Sequence, residues 1–225
     1  MTKTKKVVIL GDSAFAEVAY ECFTHDSEYE VVGFSVDSAF LGKNELFGLP
    51  VVPFEEIEQR FDPAEVEFYA ALVYSQLNRL RTRFYQAAKA KGFRPASYIS
   101  SRAFVWHNAV IGEHCFIFED NTVQPFVKIG DNVVLWSGNH IGHHSVIEEN
   151  CFVSSHAVIS GFCTIGKNTF IGVNSALANN VVIGADNWLG VGVNIIKNTE
   201  PDCVFKGEQP EASKVSARRF FKVKE

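Results

Sequence analysis

Residues 141–165 read IGHHSV-IEENCF-VSSHAV-ISGFCT-I, so that Ile141, Ile147, Val153, Ile159 and Ile165 each open a block of six. Extended both ways, the register holds without insertion. The further openers are Ile99, Val105, Ile111, Ile117, Val123, Ile129 and Leu135 on one side, and Ile171, Leu177, Ile183, Leu189 and Ile195 on the other. With Ile, Leu and Val at about a quarter of ordinary residues, such a run arises by chance on the order of once in ten billion. Gly often takes the second place (Gly112, Gly130, Gly142, Gly166, Gly172, Gly184, Gly190), and small or β-branched residues the fifth (Cys115, Val127, Ser145, Ala157, Cys163). A period of six is not helical. It suits a parallel β-helix, where short strands alternate with corners and each coil buries its apolar face only on the next. The opener and the fifth residue are expected inward, and the glycines at corners needing positive φ. A sandwich is excluded, because its strands vary in length and keep no strict register.

The 225 residues carry a net charge of −5 and are 47% hydrophobic, the balance of a soluble globular protein with no nucleic-acid or membrane partner. The opening MTKTKKVVIL lacks a signal-peptide body, which points to a cytoplasmic chain. Of five cysteines, Cys115, Cys151 and Cys163 fall at inward hexad positions. They read as small core residues in a reducing compartment, and no pair shows metal-ligand spacing.

Ahead of the hexads, residues 5–10 form a buried strand that ends in Gly11-Asp12-Ser13-Ala14-Phe15-Ala16 and a helix to about Phe23. A second strand, 31–36, ends at Asp37. This is the order of a mononucleotide-binding unit, although only Gly11 survives of a G-x-G-x-x-G fingerprint. Residues 66–73 read as another strand, and 77–91 as an amphipathic helix with Leu77, Leu80, Phe84 and Ala88 on one face, closed by Gly92. The expected organisation is a small Rossmann-like parallel α/β domain over 1–96, the β-helix over 97–203 and a basic tail over 204–225.

The hexads resemble those of the hexapeptide-repeat acyltransferases. An α/β unit fused directly before them resembles the sugar-nucleotide acetyltransferases grouped with the sialic acid O-acetyltransferases and the bacillosamine and perosamine N-acetyltransferases. The resemblance implies a left-handed β-helix, a homotrimer, acetyl-CoA as co-substrate without a metal, and a nucleotide-linked amino sugar held by the first domain. It carries sugar-nucleotide contacts to Ser13, Ala14, Phe15, Val36 and Asp37. It carries acetyl-CoA contacts to Phe152, Val173, Gly190 and Val191, along a groove between adjacent solenoids.

The densest polar stretch is Trp136-Ser137-Gly138-Asn139-His140-Ile141-Gly142-His143-His144-Ser145. Asn139 takes an inward fifth position, where a polar side chain needs partners. His143 takes an outward third position near a corner, and the resemblance places the catalytic base there. Where relatives commonly follow that base with an acidic residue, this chain has His144 in the catalytic segment, which leaves Asn139 or a neighbouring chain's carboxylate to orient the base. An imidazole titrates near neutral pH and suits removal of a proton from an attacking amine or hydroxyl. The activity implied is acetyl transfer to a nucleotide-linked 4-amino-4,6-dideoxy sugar for surface polysaccharide such as lipopolysaccharide. The alternatives are sugar O-acetylation and a non-catalytic hexad scaffold. Outward Trp136, Phe152, Phe162 and Phe170 call for cover by a neighbouring chain. His107 and His114 carry no constellation and are expected in solvent. His156 is expected at the surface or an interface. The tail, with Lys214, Arg218, Arg219, Lys222 and Lys224, offers charge that could meet a CoA phosphate.

Overall fold

A computed structural model describes residues 2–223; Lys224 of the basic tail lies outside them. The first unit is a six-stranded sheet built from β1 (Lys5–Leu10), β2 (Tyr29–Val36), β3 (Glu45–Leu46), β4 (Leu49–Pro53), β5 (Val66–Ala70) and β6 (Arg94–Pro95). Its order is β3-β4-β2-β1-β5-β6, parallel except for the β3–β4 hairpin. Helix α1 (Ala14–His25) follows β1, α2 (Ile57–Arg60) follows β4, and α3 (Arg79–Ala90) links β5 to β6. β5 stops at Ala70, three residues short of the expected end, and the chain leaves the sheet edge as a loop over 71–78.

From Tyr98 the chain winds as a left-handed parallel β-helix of two-residue strands. Up to Asn194–Ile195 each strand residue pairs with the one eighteen ahead, as Phe116 with Val134 and His140 with Val158, so three hexads make one coil. Three sheets result, of seven, six and five strands. The openers line the axis; Ile117, Leu135, Ile141, Val153 and Ile171 are all buried. Val204–Phe205, placed at the start of the tail from sequence, pairs with Trp188–Leu189 and extends the first sheet.

The glycines have a different cause from the one expected. Those at the second place do not have positive φ. Instead, a Cβ on Gly142 would lie 2.5 Å from Gly161 N, and one on Gly166 2.5 Å from Ala185 N. They are small because the next coil's backbone passes over them. Positive φ falls at the fourth place, where His114, Asn132, His144, Asn150, His156, Asn168 and Asn180 all lie between 57° and 65°. Asn, Asp and His tolerate this conformation better than other side chains.

The fifth place also carries more than bulk. Ser145 Oγ donates to Ser160 O at 2.9 Å, Ser175 Oγ to Gly190 O at 2.9 Å, and Cys163 Sγ to Ala178 O at 3.1 Å. These carbonyls follow a strand end, where no ladder bond reaches them, and an inward hydroxyl or thiol supplies the missing donor. Burial pushes the Cys115 and Cys151 thiols up to about 12.

The aromatic residues of the first sheet are covered by the chain's own α/β domain, not by a neighbour. Phe15 packs on Trp136 (5.2 Å between ring centroids) and Phe116 (5.6 Å). Tyr74 lies over Phe152 (5.3 Å) and Phe170 (4.4 Å). The two units share one apolar core along this seam. Of the four outward aromatics, Phe162 alone stays well exposed, at 52%. His114 is also corrected: it is fully buried at this seam, where hexad position gives no hint of a covering domain.

Candidate active site

Three places on the molecule collect the residues singled out from sequence. The first is a cleft of about 290 Å³ at the C-terminal ends of β1 and β2. Gly11, Ser13, Val36, Asp37 and Arg83 line it. Gly11 has φ +115° and its missing Cβ lets Ala71 O approach, so the turn after β1 is tight. Ser13 caps α1 with no side-chain bond of its own, leaving its hydroxyl free at a helix N-terminus. Asp37 is held by Arg83 at 2.7 Å. Ala14 is exposed beside Ser13. Phe15 departs from expectation: at 3% exposure it is part of the seam core and turned away from the cleft. Arg83 is a cation lining this cleft that the strand–turn–helix reading did not reveal, and Lys43 Nζ lies 3.0 Å from the carbonyl of the lining residue Asp12.

The second place is the solenoid edge after the first sheet. Phe152 and Val173 line a cavity of about 190 Å³ with Val73, Tyr74, Trp136, Ser154 and Ser155. One coil on, Val191 lines a wider cavity of about 640 Å³ with Phe205, Lys206 and Gly207. Val173 and Val191 are exposed along one edge. Gly190 stands beside them, and a Cβ there would meet Gly207 N at 2.9 Å, so the neighbouring coil also requires glycine. Phe152 itself is largely buried beneath Tyr74 and presents only part of its ring.

The third place is the next edge, between the second and third sheets. His143 is exposed, with its backbone N–H on Gln124 Oε1 at 2.9 Å and its ring over Gly161, where any Cβ would lie 2.8 Å from it. Its Nδ1 meets His144 Nδ1 at 3.1 Å. His144 is sandwiched between Phe126 (4.6 Å) and Phe162 (4.7 Å), which fixes its plane. Asn139 does not join them. Its amide donates to Trp136 O at 2.6 Å and its oxygen accepts from Ala157 N at 2.8 Å, so it bolts one coil to the next. His156 is exposed on the second edge, its ring over Gly138. Among the described residues no group of His, Cys, Asp and Glu is placed to hold a metal, and no helix is long and apolar enough to cross a membrane.

With this geometry in hand, residues 108–143, 126–161 and 144–179 match the family model "Bacterial transferase hexapeptide (six repeats)". The matched span, 108–179, lies wholly within the β-helix, and over it this chain is similar to the hexapeptide-repeat transferases. Solved structures sharing the whole two-unit architecture include the acetyltransferase domain of PglB from Neisseria gonorrhoeae (TM-score 0.82, 22% identity, 91% of this chain and 97% of that one). PerB from Caulobacter crescentus, in complex with CoA and GDP-perosamine, matches with TM-score 0.78 and 21% identity over 90% of this chain and 94% of that one. WeeI from Acinetobacter baumannii matches with TM-score 0.71 and 17% identity over 91% and 97%.

Proposed function

We propose that the chain is an acetyl-CoA-dependent N-acetyltransferase acting on a nucleotide-linked 4-amino-4,6-dideoxy sugar. The observation that carries the chemistry is His143: an exposed imidazole whose Nδ1 is engaged by His144 and whose Nε2 has no side-chain partner among the described residues. The Nδ1–H tautomer of His143, donating to His144, leaves Nε2 as the base. The sugar amine attacks the thioester carbonyl, Nε2 takes the amine proton, the N–C bond forms and the C–S bond breaks. The proton then passes from the imidazolium to the departing thiolate. The cleft beside Ser13 and Arg83 suits a nucleotide, and the edge at Val173 and Val191 suits a thin pantetheine arm. The GDP-perosamine and CoA bound to PerB support this class of substrates.

The His143 edge and the Val173 edge are different edges of one prism, separated by the whole second sheet. A substrate at Val173 therefore needs the imidazole of a second copy, and a homotrimer with three shared sites provides it. The exposed Phe104, Trp106 and Val158 on that second sheet are surface for such a contact. Thiol release from acetyl-CoA should occur with nucleotide-linked 4-amino sugars and fail with the matching hydroxyl sugars. Turnover on hydroxyl acceptors alone would transfer the reading to O-acetylation. A monomer in sedimentation at micromolar concentration would remove the shared site.

A further inference from the structure

Arg81 is the largest fully buried side chain among the described residues, and among them it forms no ion pair with a carboxylate. Its guanidinium is satisfied by neutral acceptors from both units. Nε donates to Asn132 Oδ1 (3.1 Å), and Nη1 to Asn78 Oδ1 (3.1 Å) and Leu72 O (3.4 Å). Nη2 donates to Asn132 O (3.2 Å), Asn150 O (3.1 Å) and Cys151 O (3.2 Å). Burying a cation without a countercharge is costly, and well-packed apolar residues commonly stabilise such a site as well or better. What the fork supplies is registry: a rigid planar donor set that fixes where its acceptors stand relative to one another.

The acceptors show what is registered. Leu72 lines the cleft with Ser13 and Arg83, while its neighbours Val73 and Tyr74 line the cavity with Phe152 and Val173. A single loop, 71–78, thus forms a wall of both. It is also strained: Gln76, Leu77 and Asn78 lie at φ 53°, 50° and 68°, three successive non-glycine residues in the left-handed region. Asn78, at the end of that run, is fully buried, accepts from Arg81 and donates to Asn168 O on the solenoid at 3.0 Å.

We propose that Arg81 is a positioning residue for the transfer reaction, holding loop 71–78 on the solenoid corner so that the nucleotide cleft and the thioester edge stay in register. This rests on the acetyl-transfer reading. Its own content is that each ligand site is intact without Arg81, and their relative placement is not.

The test uses the full chain with Arg81→Met, and Asn78→Ala as a second variant should Arg81→Met fold poorly. Acetyl-CoA and a GDP-linked 4-amino sugar are titrated separately, turnover is measured with both, and amide exchange is followed over 70–78. The expected result is native binding stoichiometry, each affinity within about threefold of native, and kcat lower by about tenfold or more, because misplacement of order 1 Å is that costly to an oriented reaction. Exchange over 72–78 should be faster by a similar factor. Arg81→Lys should not restore kcat, since one ammonium cannot span acceptors on both units. A kcat within twofold of native, or a loss that merely follows lost stoichiometry, overturns the proposal. If the native chain neither binds these ligands nor transfers acetyl, the transfer reading falls, and unchanged exchange over 72–78 in Arg81→Met would overturn the registry claim independently.

Discussion

His114 and His144 occupy the same place in their hexads and nearly the same backbone conformation, φ 57° and 60°. Their surroundings are opposite. His114 sits under the α/β domain, its Nε2 accepting from Ala70 N–H at 2.8 Å and its Nδ1 donating to Asn132 Oδ1 at 2.9 Å. Burial pushes it down to about 3, so it is neutral in the folded chain. His144 stands on an open edge between two phenyl rings, with His143 as its partner. The repeat dictates backbone and corner; what lies over the corner decides whether a histidine is a buried structural acceptor or part of an exposed pair.

The contrast is sharpest if function and stability separate cleanly between the two corners. His143→Ala should lower turnover about a hundredfold or more while leaving the melting temperature unchanged, read by thiol release and calorimetry. His114→Leu should do the reverse. It strands Ala70 N–H and removes one of the two donors to Asn132 Oδ1, which keeps Arg81 Nε, costing about 2 kcal/mol, or about 4–8 °C in Tm, with kcat per folded molecule retained. An equal loss of kcat in both variants would erase the distinction.

Acid titration probes the same corner. Between pH 6.5 and about 3 the unfolded chain binds a proton that folded His114 refuses, so stability falls as pH falls through that window. The slope from this group is at most about 1.4 kcal/mol per pH unit, and denaturant unfolding of His114→Leu should show it flattened. Smaller still are the contrasts within a hexad. Gly166→Ala should cost about 1–3 kcal/mol, because its Cβ would press on Ala185 N, whereas Asn180→Gly at an exposed positive-φ corner should change stability by less than about 0.5 kcal/mol.

The β-helix was legible in the sequence because its signal repeats, and each opener confirms the last. The strand–turn–helix at Gly11 was legible for the same local reason. What was not legible is the seam, which depends on contacts between residues far apart. Phe15 looks like a ligand contact by position and proves to be core, because Phe116 and Trp136 come to meet it from a hundred residues away. Asn139 looks like a polar residue in search of a reaction and is consumed by two backbone groups. Arg81 was within reach of the sequence. With Leu77, Phe84 and Ala88 it continues one helical face at i+4, i+7 and i+11, and a charged residue on a buried stripe signals a partner. His144 replacing an acidic residue was visible, but its clamping by Phe126 and Phe162, one coil away on either side, needed the eighteen-residue coil to be drawn.

That coil length has a consequence for how such a chain can change in evolution. Because every inward residue is defined only by its count from the one before, the solenoid is read in a frame, much as codons are. Losing or gaining one residue within a strand rotates every later side chain by a sixth of the pattern and turns the core outward, unless a corner loops the excess out. Eighteen residues, in contrast, can be added or removed as one coil with the frame intact. His143 and Val173 would then keep their edges while the distance between them along the axis changes by one step, so that the spacing between the two is set in discrete increments.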